Sequence, residues 1–291
     1  SFEEWDAHPH AIAAQGQPLV GLTKLNETMP LKFAEQATRP LSGIRVLDLT
    51  RILAGPICGR TLAAYGADVM LVNAPHLPNI AAISDTSRGK RSTHIDLTTN
   101  DGVAALQTLV GAAHVFVQGY RPGGLASRGF APQELAQLRP GIVCVSLSAY
   151  GRVGPWAARR GFDSLVQTAT GFNHAEAQAA GSATPQAMPV QILDYASGFL
   201  MAFGAQAALL RQQLEGGSWH VEVSLLQTAN WLRSLGRKGF DATPPELRDY
   251  LQEFACTHGR LEAMPHAAEF SRTPAKWDRP CALPGTHPPA W

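Results

Sequence analysis

The chain has 291 residues, 45% hydrophobic and 16% charged, with a formal net charge of +1. That length holds one large α/β domain with appendages or two modest domains, and the apolar share supplies a sizeable core. The near-neutral balance, with no long basic run, argues against nucleic acid or an anionic membrane as the main partner.

Residues 1–40 carry scattered Pro and Gly and weak periodicity, and read as an extension that packs on the body through Trp5, His8 and His10. From Leu41 the rhythm becomes alternating strand and helix. Residues 44–50 (IRVLDLT) read as a buried strand, and 57–65 as its helix, opened by Pro56 and stopped by Gly66. A strand at 68–72, a Pro-rich loop and an edge strand at 93–97 follow. Helix 102–110 has Asn100 and Asp101 as capping candidates. Then come strand 115–118, helix 132–138 and strand 142–147. A Gly- and Arg-rich loop, GRVGPWAARRG, leads into 163–170 and an irregular stretch to 189 that is expected to be mobile. A long helix starts around Asp194, and a strand covers 220–225. Beyond 233 the chain turns polar and Pro-rich, with only 245–254 helical in pattern.

Right-handed crossovers of this kind build an α/β fold, an open, mostly parallel sheet with helices on both faces. The boundaries expected are an extension 1–40, a Rossmann-like domain 41–232 and a carboxyl-terminal segment 233–291. Cys58, Cys144, Cys256 and Cys281 are far apart with no CxxC pair, so all four are expected as reduced core fillers in a cytoplasmic protein. No secretory signal is visible. Residues 199–210 read as too short and too rich in small residues to span a bilayer. The chain begins at Ser1, so its natural start is expected upstream.

Several chemistries lack their motifs. RILAGP after the first strand supplies one glycine, not GxGxxG, which argues against a nicotinamide or flavin enzyme. There is no HExxH to hold a metal and no G-x-S-x-G. Ser146 and Ser148 end a strand without a histidine placed by the sequence, which argues against a serine hydrolase. Arg51, Arg88, Lys90, Arg91, Arg121, Arg128, Arg159 and Arg160 all fall in or beside loops at element ends. Singly, each is better explained by a solvated, salt-bridged rim; as a set, they suit a phosphorylated nucleotide carrier as well as they suit that rim.

Asp194 carries two readings. An aspartate opening an apolar helix is most often its N-cap, and the helix dipole keeps it ionised. An ordinary aspartate titrates near about 3.9 and is therefore an anionic nucleophile at neutral pH. Ile192, Leu193, Gly198 and Phe199 would shelter an acyl intermediate. Spacing alone favours the cap.

Six blocks then carry a resemblance. LSGIRVLDLTRILAGPICGRTLAAYGADVMLV, RGKRSTHIDL, VFVQGYRPGGLASRGF, RPGIVCVSLSAYGRVGP, GFDSLVQTATG and ILDYASGFLMAFGAQAALLRQ resemble, in this order, the class III CoA-transferase family, which includes formyl-CoA transferase, carnitine CoA-transferases and α-methylacyl-CoA racemase. The resemblance covers about two-thirds of the chain. It implies a CoA-binding Rossmann-like domain and a homodimer, usually of interlocked rings. It places the nucleophilic aspartate on Asp194. CoA contacts fall on Ile52, Ala54, Ile95, Gly119, Tyr120, Arg121 and Arg160, and on Arg128, which is displaced by one place from the family's arginine.

Three departures qualify it. Asn73 and Ala74 stand where many members carry an acidic residue and an adenine-stacking arginine. Phe162 stands where the racemase branch has a histidine, and phenylalanine moves no proton. The family's small domain, with its glycine-rich loop, is not recognisable in 227–291, although the last stretch resembles the family's closing segment. The implied activity is CoA transfer from an acyl-CoA donor to a small carboxylic acid through an aspartyl anhydride and thioester, with CoA as substrate and no permanent cofactor. The alternatives are a non-catalytic CoA-binding partner subunit and an acyl-CoA racemase.

Overall fold

The structure, a computed structural model, describes residues 1–32, 37–121, 123–237, 243, 246–257 and 259–291. Two short helices, α1 (Phe2–Asp6) and α2 (Pro9–Ala13), precede strand β1 (Val20–Lys24). Ser1 and Glu4 cap α1 reciprocally, and Pro9 opens α2, where its missing N–H costs nothing. Trp5 and His10 are buried beside Trp156, which ties this segment to the body.

The alternation then runs β2 (Arg45–Leu49), α3 (Ala54–Ala64), β3 (Asp68–Asn73), α4 (Ile83–Thr86), β4 (Lys90–His94), α5 (Asn100–Gly111), β5 (Val115–Gln118), α6 (Pro132–Leu138) and β6 (Val143–Ser148). Helices α7 (Asp163–Ala169), α8 (Phe172–Ala179) and α9 (Ile192–Glu215) follow, then β7 (Trp219–Ser224) and α10 (Leu225–Ser234).

Seven strands form one sheet in the order β1-β7-β6-β5-β2-β3-β4. All neighbours are parallel except β1, which closes the edge antiparallel to β7. Strand alternation splits the core into two layers. Val46, Val69, Val115, Val143 and Val221 face α3 and α9, and Leu47, Met70, Phe116 and Cys144 face α5 and α6. The chain builds outward from β2 to β4, then returns to lay β5 on the other side of β2. That reversal opens a crevice at the carboxyl ends of β2 and β5, the place where such sheets bind ligands.

Several local expectations are corrected. The edge strand starts at Lys90, not at 93, because the polar run KRSTH pairs with β3 from Lys90 opposite Val69 onward. Thr99, not Asn100 or Asp101, caps α5, accepting from the Gly102 N–H at 3.1 Å. The stretch expected to be mobile contains α8. The helix expected over 245–254 is a 3-10 turn (Leu247–Tyr250) and strand β8 (Gln252–Cys256), paired antiparallel with β9 (Gly259–Ala263); Pro245 itself lies outside the described residues. Cys256 is disulfide-bonded to Cys281, so only Cys58 and Cys144 match the expected buried free thiols. Helix α9 is twice the apolar stretch read from sequence. With 24 residues it is long and apolar enough to cross a membrane, and 56% of its apolar 18-residue window is buried inside the molecule, as in a core helix.

Candidate functional site

The loop from β2 to α3 is built over a buried ion pair. Asp48 and Lys90 are both fully buried, with Lys90 Nζ 2.7 Å from Asp48 Oδ2. The other Asp48 oxygen accepts from the Thr50 N–H at 3.1 Å and from the Thr50 hydroxyl. Lys90 Nζ also donates to the Pro56 carbonyl at 2.7 Å. Both ends of the loop are thus tied to one point, and Gly59 is needed there because a Cβ would sit 2.2 Å from Asp48 Oδ2. Between the ties Ile52 has φ of 74°, the left-handed region that a β-branched residue enters only at a cost. The start of α3 carries no side-chain cap.

Across the crevice, Asp194 is the third residue of α9 and does not cap it. The capping carboxylate is Asp163, at the start of α7. It is fully buried, and its Oδ2 accepts the Asp194 N–H at 2.9 Å. The Leu193 backbone and the Gln167 amide donate to it as well. Among the described residues no donor reaches the Asp194 carboxylate, which lines a cavity of about 540 Å³. Gly198, one turn later on the same face, lets α3 approach, since a Cβ there would lie 2.5 Å from the Ala54 carbonyl oxygen.

Electrostatics follow from this division. Burial, and then the neighbouring Asp163 charge, push the Asp194 carboxyl up to about 7. The sequence reading of an ordinary, fully ionised aspartate is therefore corrected. Burial also raises Asp163, but its three donors oppose that shift and favour its anion. The N–H groups of Leu193 and Asp194 at the α9 start are not free to face a reacting carbonyl, because Asp163 occupies them.

Most of the expected site residues converge here. Ile52, Ala54, Gly119, Tyr120, Arg121, Arg160 and Asp194 all line this cavity, together with Arg51, Arg159 and Phe162. Ile95 and Arg128 line an adjoining cavity of about 210 Å³ that shares Leu49, Leu77, Tyr120 and Gly124 with the first. Arg128 donates there to the Leu97 carbonyl. The eight basic residues picked from sequence thus sort themselves. Arg88, Lys90 and Arg91 are committed to Asp85, Asp48 and Asp68. Arg51, Arg121, Arg159 and Arg160 face the cavity with no carboxylate partner among the described residues. Asn73, only 2% exposed, lines the second cavity with both amide atoms unpartnered.

Sequence reasoning missed Asp163 and the Asp48–Lys90 pair. The GFD triplet holding Asp163 was in view, but read only for its phenylalanine. One further placement changes a sequence reading: His220, on β7, puts Nε2 2.9 Å from Ser146 Oγ, so that serine does have a histidine beside it.

Comparison with known proteins identifies the family. The model of CoA-transferase family III matches residues 41–236. A probable fatty acyl-CoA transferase, Rv3272, of Mycobacterium tuberculosis is 32% identical over 228 residues, which is 72% of this chain and 57% of that protein. A succinate–glutarate CoA-transferase of Agrobacterium fabrum is 34% identical over 64% of this chain and 51% of its own length. The crystal structure of Rv3272 superposes with a TM-score of 0.62 at 33% identity, covering 68% of this chain and 58% of that one. A CAIB/BAIF family protein of Brucella suis gives 0.59 at 26% identity, covering 76% and 65%. The chain spans about half the length of the curated relatives it matches. By its matching model, its relatives and its fold, this chain belongs to CoA-transferase family III.

Proposed function

We propose that the chain transfers CoA from an acyl-CoA donor to a carboxylic acid, with Asp194 as the nucleophile. The observation that carries this reading is a single unpartnered carboxylate in a crevice whose other charges, among the described residues, are four arginines without a carboxylate partner. A phosphorylated thioester carrier supplies the anions those arginines lack. The unpartnered Asn73 amide and Arg128 support placing its nucleotide end in the adjoining cavity.

In the proposed reaction the Asp194 carboxylate attacks the thioester carbonyl. The C–S bond breaks, CoA leaves as thiolate, and a mixed anhydride remains. The thiolate attacks the aspartyl carbonyl of that anhydride, which releases the donor acid and leaves an aspartyl-CoA thioester. The acceptor carboxylate attacks this thioester, and the released thiolate takes the acceptor acyl group from the second anhydride, restoring Asp194. The uncapped start of α3, with Ala54 at the cavity wall, is a helix N-terminus able to stabilise the oxyanions. Burial makes Asp194 a stronger base, and so a better nucleophile once ionised. Phe162 lies on the cavity wall and, among the described residues, no histidine does, which opposes racemisation, a reaction needing a base on each face of the α-carbon. A homodimer working in the cytoplasm completes the reading.

Exchange of label between a labelled acyl-CoA and its free acid tests it. Wild-type protein is expected to catalyse exchange, and Asp194→Asn to lose it by at least about 10⁴-fold. CoA binding without exchange would point to a binding subunit instead.

A further inference from the structure

A second reactive constellation lies on the opposite face of the sheet. Strand register places Gln118 of β5, Ser146 of β6 and Glu222 of β7 in one row across the carboxyl ends of three parallel strands. His220, two residues before Glu222, shares that face. The row is polar where the rest of the face, with Phe116 and Cys144, is apolar core. It borders a cavity of about 280 Å³ lined by Gln118, Ser146, His220 and Glu222. Tyr120, Leu147 and Ser148 are walls of both this cavity and the Asp194 cavity.

The hydrogen bonds within the row define donor and acceptor roles. The Tyr120 N–H donates to Gln118 Oε1 at 2.9 Å, which turns the amide nitrogen toward the serine. Gln118 Nε2 donates to Ser146 Oγ at 2.9 Å. Ser146 Oγ keeps its own hydrogen to give, and in the tautomer that carries the ring proton on Nδ1, His220 Nε2, at 2.9 Å, is the acceptor beside it. The proton of the neutral ring then sits on Nδ1, which faces Glu222 Oε2 at 3.8 Å. Glu222 is itself held by Arg152. Burial holds His220 below its ordinary pKa, so the ring is neutral and basic at physiological pH.

We propose that this cavity is a second acyl-transfer site, in which Ser146 is a nucleophile activated by His220 toward small acyl esters or thioesters. The reaction would begin as Oγ attacks the carbonyl carbon and its proton passes to His220 Nε2. The second N–H of Gln118 would be the donor to the oxyanion. Collapse breaks the C–O or C–S bond, and His220 returns the proton to the departing alcohol or thiol. Water, deprotonated by His220, then attacks the acyl carbon, the C–Oγ bond breaks, and His220 returns the proton to Ser146 Oγ as the free acid leaves. This is the nucleophile–base arrangement of serine acyl transfer, recognisable by geometry and not by a sequence motif. It is independent of CoA transfer at Asp194.

A fluorophosphonate probe tests the proposal on the intact chain, because attack by Ser146 Oγ forms an O–P bond, expels fluoride and leaves a stable adduct. Peptide mass spectrometry is expected to locate the adduct on Ser146, and His220→Gln to slow labelling by about 100-fold or more. Thermal melting of the variant establishes that it folds. If it does not fold, wild-type labelling is followed against pH and is expected to fall as acid protonates His220. No adduct, an adduct elsewhere such as on Asp194, or labelling of Ser146 that neither His220→Gln nor acid slows would overturn it.

Discussion

The chemistry proposed for Asp194 depends on two carboxylates that face the same helix start and are treated differently. Asp163 receives the helix amides, while Asp194, 31 residues later in sequence, receives none and stays protonated until pH reaches about 7. The rate of Asp194 acylation by acyl-CoA is therefore expected to rise with pH to a plateau, with its midpoint near 7. Asp163→Asn, which keeps an acceptor oxygen but removes the charge, is expected to move that midpoint to lower pH. A stopped-flow pH profile of both proteins reads this directly, and an unmoved midpoint would show that Asp163 does not act on Asp194 through its charge. Stability should follow the same titration. The folded-state pKa of Asp194 is raised above the unfolded value of 3.8, so the folded state is favoured below about 4 and loses that advantage as pH rises to about 7. Asp194→Asn is accordingly expected to match wild type in urea denaturation at pH 4 and to exceed it by a few kcal/mol at pH 8. Asp194 was legible in the sequence as a lone carboxylate opening an apolar helix. Its partner was not, because only the packing of α7 against the start of α9 brings Asp163 to it.

At the scale of elements, the β2–α3 loop is held in a conformation its residues do not favour. Ile52 adopts a left-handed backbone, and the Asp48–Lys90 pair anchors the loop through Thr50 and Pro56. Lys90→Met is expected to destabilise the chain by about 3–5 kcal/mol in urea denaturation, because Asp48 is left as an uncompensated buried charge. Replacing both partners, Asp48→Leu with Lys90→Met, should recover much of that stability while leaving Thr50 without its acceptor. Equal stability of wild type and Lys90→Met would contradict the role given to the pair. This pair also explains why β4 was placed too late from sequence. KRSTH looks like a surface run by composition, and its first residue reads as buried only when Asp48 is known to lie beneath it.

For the whole molecule, the alternation of strand and helix was enough to read an open, mostly parallel sheet, because each buried strand and each start and stop signal is local. What the alternation could not supply was the antiparallel closure by β1 and the Cys256–Cys281 link, which depend on partners farther away in sequence, and the β8–β9 hairpin, whose strands are short and mostly exposed. The reversal of strand order between β2 and β5 brings the loops after those strands together, and α9, packed over the sheet, presents Asp194 to the same crevice. The most direct test of this arrangement is to incubate the protein with an acyl-CoA, add hydroxylamine, and locate the modification by peptide mass spectrometry. A hydroxamate on Asp194 that forms only when acyl-CoA is present is the predicted result. Bound CoA with Asp194 unmodified, or a hydroxamate on another residue, would contradict the account.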